Sequence, residues 1–211
     1  MFAISGVLTA GRKGLDWLGV AVIALVTAIG GGTLRDLLLD RYPIFWIADH
    51  SYLLAILATT AFTLFYVRFR TPSRRALLLA DALGLAFFTI GGVQIAQQAG
   101  LSGVPAILMG TITGVAGGMI RDVLCAEIPL ILLRGQLYAS STIVGAALYL
   151  GLEQIGLLPN AAALIGMGTI VAVRFAAILW RLELPVLSLE ETHTGSFRRA
   201  GTGESHPPDS F

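Results

Sequence analysis

The strongest constraint on this chain is that it contains much of itself twice. Phe2-Ala-Ile-Ser-Gly-Val-Leu-Thr-Ala10 aligns without a gap against Phe88-Thr-Ile-Gly-Gly-Val-Gln-Ile-Ala96, at an offset of 86 positions. The same offset pairs Gly14 with Gly100, Thr27 with Thr113, Gly31-Gly32 with Gly117-Gly118, Arg35-Asp36 with Arg121-Asp122, Pro43 with Pro129 and Tyr52 with Tyr138. A duplicated supersecondary unit of this length has to be read before any single motif.

The composition says what solvent the unit folds in. Of 211 residues, 55% are hydrophobic and 13% charged, with a mean hydropathy of +0.80, where a soluble domain carries about 25% charged residues. Apolar runs near 1–11, 16–39, 51–67, 76–97, 103–125, 136–152 and 158–180 predict an all-α integral membrane protein of seven transmembrane helices. Gly91-Gly92 is a point where the fourth span can kink. Three spans lie within one offset, so the second copy enters the membrane from the opposite side. The expectation is two inverted three-helix repeats, at about 1–67 and about 76–152, with a seventh helix at about 158–180 that has no counterpart.

Arg12, Lys13, Arg68, Arg70, Arg74, Arg75, Arg134 and Arg181 fall in loops on one side, and Arg41 alone falls on the other. The positive side faces the cytoplasm, which puts the C-terminus inside. The transmembrane domain is expected over 1–182, and the Glu-, Ser-, Gly- and Pro-rich stretch 183–211 is expected to be a disordered cytoplasmic tail. The fourth span begins about ten residues before Phe88, whereas Met1 alone precedes Phe2. The natural chain is therefore expected to start upstream of Met1.

Two motifs carry the candidate chemistry. Gly30-Gly31-Gly32 lies in the second span and Ala116-Gly117-Gly118 in the fifth. Each Gly costs about 1 kcal/mol of helix propensity against Ala, so the triplets predict a kink, an unwound turn or very close packing. If the helices break there, freed carbonyls, with the hydroxyls of Thr27, Thr33 and Thr113, line a polar path and replace a cation's hydration shell. Close packing of the small-xxx-small kind is the plainer reading, and duplication at inverted positions favours the path.

Arg35-Asp36 and Arg121-Asp122 follow the glycines by about one turn, at a depth where ionisable groups face a cavity or a partner. Neighbouring residues point about 100° apart, so each Arg is expected to pair with another helix. The pairs either gate a pore or lock the repeats together. Asp16 and Asp81 are expected as helix caps or interfacial groups and Arg174 as a snorkelling side chain. Trp17, Trp46, Tyr52, Tyr138 and Trp180 are expected in the interfacial belts.

A net charge of +1 argues against a nucleic-acid partner. The single Cys125 and three scattered His residues give no disulfide, no cofactor site, and no metal site beyond a transient monovalent cation. Nothing in the sequence assembles an enzyme's constellation.

The segments Phe2-Ala-Ile-Ser-Gly, Gly30-Gly-Gly-Thr-Leu-Arg-Asp-Leu-Leu-Leu39 and Gly117-Gly-Met-Ile-Arg-Asp122 resemble the bacterial members of the trimeric intracellular cation (TRIC) channel family, over residues 1 to about 180. The resemblance implies a homotrimer in the bacterial plasma (inner) membrane, among membrane lipids. Each protomer is then expected to hold a pore for monovalent cations, chiefly potassium, with sodium as a lesser ion. The second and fifth helices line it, with Gly30, Gly31, Gly32, Ala116, Gly117 and Gly118 at the kinks. Ala116 departs from the family's triplet. The family is also described as one of glycine transporters, so alternating access to glycine or another small solute is the second expectation, and a structural subunit without flux the third.

Overall fold

The computed structural model describes residues 1–69, 73–133 and 137–180. The regions expected to hold Arg70, Arg134, Arg181 and the tail lie outside them. Eight helices follow in order: α1 (Phe2–Arg12), α2 (Trp17–Leu38), α3 (Phe45–Ala48), α4 (Ser51–Phe69), α5 (Arg74–Gln98), α6 (Gly103–Leu124), α7 (Tyr138–Gln154) and α8 (Pro159–Trp180), with a 3-10 turn at Leu130–Leu132. A helix stands at each of the seven expected positions, and the four-residue α3 is an addition. Among the described residues, α2, α4, α5, α6 and α8 are long and apolar enough to cross a bilayer.

The repeat is carried into backbone geometry. α1 and α5 end in the same left-handed turn, at Gly14 (φ 69°) and Gly100 (φ 85°), with Leu15 N–H bonded to Ala10 O and Leu101 N–H to Ala96 O. α2 and α6 end at Asp40 (φ 52°) and Ala126 (φ 51°), with Arg41 N–H bonded to Asp36 O and Glu127 N–H to Asp122 O at 2.8 Å each. All four are Schellman closures, which satisfy carbonyls that a helix end leaves bare. Asp16 caps α2 by accepting from Gly19 N–H at 2.7 Å, as its sequence position implied.

The buried residues form two clusters. Val7, Val20, Ile23 and Ala24 of α1 and α2 form one cluster with Phe2, whose ring packs on Phe88 of α5 at 4.9 Å. Leu85, Ile90, Val93, Tyr149 and Ile170 belong to a second cluster drawn from α5 to α8. Small residues let the helices meet: a Cβ on Gly6 would lie 2.7 Å from Ala24 Cα, and one on the equivalent Gly92 would lie 3.0 Å from Gly110 Cα. The unrepeated α8 breaks the symmetry. It covers α7, which buries Tyr138, Ser141, Thr142, Gly145, Ala146, Tyr149 and Leu150. The equivalent α4 buries only Thr60 and Thr63 and turns Leu54, Phe62, Phe65 and Phe69 outward. Apolar residues on an outer surface suit hydrocarbon as solvent.

Candidate functional site

The glycines do not interrupt the helices. α2 is helical throughout Trp17–Leu38 and α6 throughout Gly103–Leu124, and α5 likewise continues through Gly91-Gly92. The expected break is replaced by a crossing. A Cβ on Gly31 would collide with the carbonyl oxygen of Thr113, and one on Gly117 would lie 2.5 Å from the carbonyl oxygen of Thr27. These two contacts exchange under the 86-residue offset, so α2 and α6 touch backbone to backbone about the pseudo-two-fold. Thr27 and Thr113 are fully buried, and their hydroxyls donate back to Ile23 O (2.6 Å) and Met109 O (2.7 Å) of their own helices.

The remaining triplet positions each make room for a different group. A Cβ on Gly30 would come 2.9 Å from Ile120 Cδ1, the movable tip of a side chain. A Cβ on Gly32 would lie 2.6 Å from Phe45 Cε1, and one on Gly118 would lie 2.8 Å from the Tyr138 hydroxyl. Thr33 donates to Ile29 O and accepts Trp46 Nε1–H at 3.0 Å, which fastens α3 to α2.

Each Arg was expected to pair with another helix: Arg121 does so, through Asp81 of α5 and Ser5 of α1, but both arginines also clamp the Asp next to them, which was not expected. Arg35 Nε and Nη2 clamp Oδ1 of Asp36 at 2.9 and 2.8 Å. Arg121 Nε and Nη2 clamp Oδ1 of Asp122 at 2.8 Å each. The 100° between neighbouring Cβ directions is overcome because the long Arg side chain folds back on itself. In a buried site the nearest opposite charge wins, and charge-assisted hydrogen bonds are the strong ones. The other carboxylate oxygen has its own use. Asp36 Oδ2 accepts from Phe45 N–H and Asp122 Oδ2 from Leu130 N–H, both at 2.9 Å. In both copies the Asp therefore ties the end of a pore-candidate helix to the first turn after the following proline.

The surroundings of the two steps differ. Arg35 lies under the Phe45 ring at 5.5 Å beside a cavity of about 590 Å³, whose walls include Met1, Arg41, Tyr52, Thr59, Gln94 and Gln98. Arg121 also donates to Asp81 and to Ser5, at 2.8 Å each. Arg174 Nη2 stands 3.8 Å from the far oxygen of Asp81, and its guanidinium carbon lies 4.5 Å over the Tyr138 ring. Asp81 and Arg174 are fully buried and Tyr138 is 4% exposed. Three expectations are corrected by this cluster: Asp81 is not a cap, Arg174 does not snorkel, and Tyr138 is not a belt anchor. A sequence signal was present, since Asp81 and Arg174 are charged residues inside otherwise apolar runs, which marks them as paired.

Comparison with known proteins agrees with this architecture. A family model described as "Glycine transporter" matches residues 1–68 and 78–154, one block for each copy of the repeat. The chain belongs to this family. It is 45% identical over 192 residues to a membrane protein of Vibrio cholerae, covering 90% of this chain and 79% of that one. It is 43% identical over 193 residues to the inner membrane protein YadS of Escherichia coli, covering 90% and 93%. Its fold is similar to the crystal structure of the TRIC trimeric intracellular cation channel orthologue from Rhodobacter sphaeroides, with a TM-score of 0.81 and 38% identity, covering 86% of this chain and 93% of that one. The chain is thus a multi-pass membrane protein of the TRIC type, from a family of channel and transport proteins and not of enzymes.

Proposed function

We propose that this chain conducts monovalent cations, chiefly potassium, through a path in each protomer of a homotrimer in the bacterial inner membrane. α2 and α6 form the walls of that path. The observation that carries the reading is the reciprocal crossing of these helices, in which Gly31 meets the carbonyl of Thr113 and Gly117 that of Thr27. Likeness to a solved cation channel at 38% identity supports the same assignment.

The crossing acts as the gate. In this conformation backbone meets backbone, which leaves no room for an ion between α2 and α6 at Gly31 and Gly117. Conduction needs the two helices to part there, exposing the carbonyls of Thr27 and Thr113 as ligands that offset ion dehydration. The two Asp clamps hold the ends of the moving helices to their neighbouring turns. The tail is cytoplasmic on this reading, because the basic loops lie on its side.

Alternating access to glycine or another small solute is the second reading, favoured by the same closed crossing. A transporter passes through such occluded states, and inverted repeats suit it equally. Purified protein in potassium-loaded liposomes separates the two, with potassium efflux and uptake of labelled glycine measured side by side. Efflux with unitary currents in a planar bilayer is the expected result. Saturable glycine uptake without unitary currents overturns the channel.

A further inference from the structure

The cluster behind α6 contains two cations and two carboxylates, and the unrepeated helix supplies one of the cations. Asp122 already neutralises Arg121, with both of its Oδ1 contacts at 2.8 Å. Asp81 brings a second negative charge, 2.8 Å from Arg121 and fully buried. Arg174 brings the second positive charge, 3.8 Å from Asp81, on α8. The cluster abuts a wall of the proposed path: a Cβ on Gly118 would lie 2.8 Å from the Tyr138 hydroxyl, 3.4 Å from Asp81 Oδ1 and 3.7 Å from Arg121 Nη2.

We infer that Arg174 is a positioning residue for conduction: from α8 it cancels the charge of Asp81 and so sets the electrostatic potential at the α6 wall to near neutral. This inference takes the conduction reading as its basis for flux, and the Asp81–Arg174 pair as its basis for stability. Buried charges in low dielectric act at longer range than exposed ones and are screened less by salt outside. Without Arg174, one uncompensated carboxylate faces α6, and cations concentrate along that wall. Tyr138 keeps the guanidinium in place by presenting its ring face.

The test compares wild type, Arg174→Gln, Arg174→Lys, Asp81→Asn and the double variant Asp81→Asn with Arg174→Gln, the last two completing a double-mutant cycle. Unitary potassium conductance is read at low and high KCl, with thermal unfolding of the same preparations in detergent. Arg174→Gln is expected to raise conductance several-fold at low KCl, with the gain fading at high KCl. Arg174→Lys and the double variant are expected to return to the wild-type salt dependence. The double variant keeps one Arg and one Asp, and it is expected to unfold closer to wild type than Arg174→Gln does. Conductance that is unchanged by Arg174→Gln, or changed equally at both salt concentrations, overturns the electrostatic role. Additive losses of stability overturn the pair. A wild type that carries no current removes the conduction reading, and the unfolding comparison still decides whether Arg174 and Asp81 are coupled.

Discussion

The Arg35–Asp36 and Arg121–Asp122 steps are one motif in two environments. Both clamp the Arg onto its own neighbour, and both spend the second carboxylate oxygen on the first N–H of the turn that follows. Around Arg35, an aromatic ring and a cavity wall complete the site. Around Arg121, Ser5 and Asp81 are within 2.8 Å, and Arg174 reaches the far side of Asp81. The clamp is common to both copies, and its surroundings come from different elements: Phe45 of α3 at Arg35, and Ser5 of α1, Asp81 of α5 and, behind it, Arg174 of α8 at Arg121. The same clamp thus stands in two electrostatic settings, with a second buried carboxylate beside Arg121.

The comparison is broken most severely at Asp81. Asp81→Asn removes the carboxylate shared by two buried arginines, and breaking such a buried pair costs about 3–5 kcal/mol. Asp36→Asn removes a carboxylate that serves one Arg and one N–H, with an expected cost of about 1–3 kcal/mol. Thermal unfolding in detergent ranks the two. Equal losses would mean that the extra partners around Arg121 add nothing.

Smaller effects separate the glycines from one another. A Cβ at Gly31 meets a backbone carbonyl that cannot turn aside, so Gly31→Ala should destabilise by about 1–3 kcal/mol through overpacking. Gly30→Ala meets only the tip of Ile120 and gains helix propensity of up to about 1 kcal/mol, so it should be neutral or stabilising. The ordering of their unfolding temperatures checks this. The smallest effect is at the loops. Lys13 bridges Glu127 at 3.0 Å with both side chains partly exposed, so Lys13→Gln should cost under about 1 kcal/mol and nothing at high salt.

The membrane class, the positions of the seven long helices and the repeat were legible because apolar run length and repeat offset depend on sequence alone. The turn at α3 was not, since four residues give no periodicity, and its position follows from the Asp36 and Thr33 contacts. The ends of α2 and α6 carried no glycine: Asp40 and Ala126 adopt the left-handed turn, and only Pro43 and Pro129 hinted at a stop. Of the alternatives the glycine triplets left open, very close packing is the one that the α2–α6 crossing adopts, and the preferred break is absent. Propensity argues for a break in an isolated helix, but here the paired helix fills the groove that each glycine opens, and tertiary packing keeps the hydrogen bonds intact. Asp81, Arg174 and Tyr138 were assigned to helix ends and interfaces because position in a span does not reveal which face points inward.

The backbone-to-backbone contact at Gly31 sets the sign of the effect that a side chain there has on flux. Were the helices broken at the triplets, a side chain there would withdraw the freed carbonyls and stop flux. From the structure, Ala at Gly31 is a wedge between two helices in contact, and it disfavours the closed crossing. A penalty of about 1–3 kcal/mol on the closed state shifts the equilibrium toward the parted state by about fivefold or more. The direct measurement is basal potassium efflux per correctly assembled protein for wild type, Gly30→Ala and Gly31→Ala. If the α2–α6 crossing is the gate, Gly31→Ala leaks faster than wild type while Gly30→Ala matches it. Efflux from assembled Gly31→Ala at or below the wild-type rate would contradict the gate.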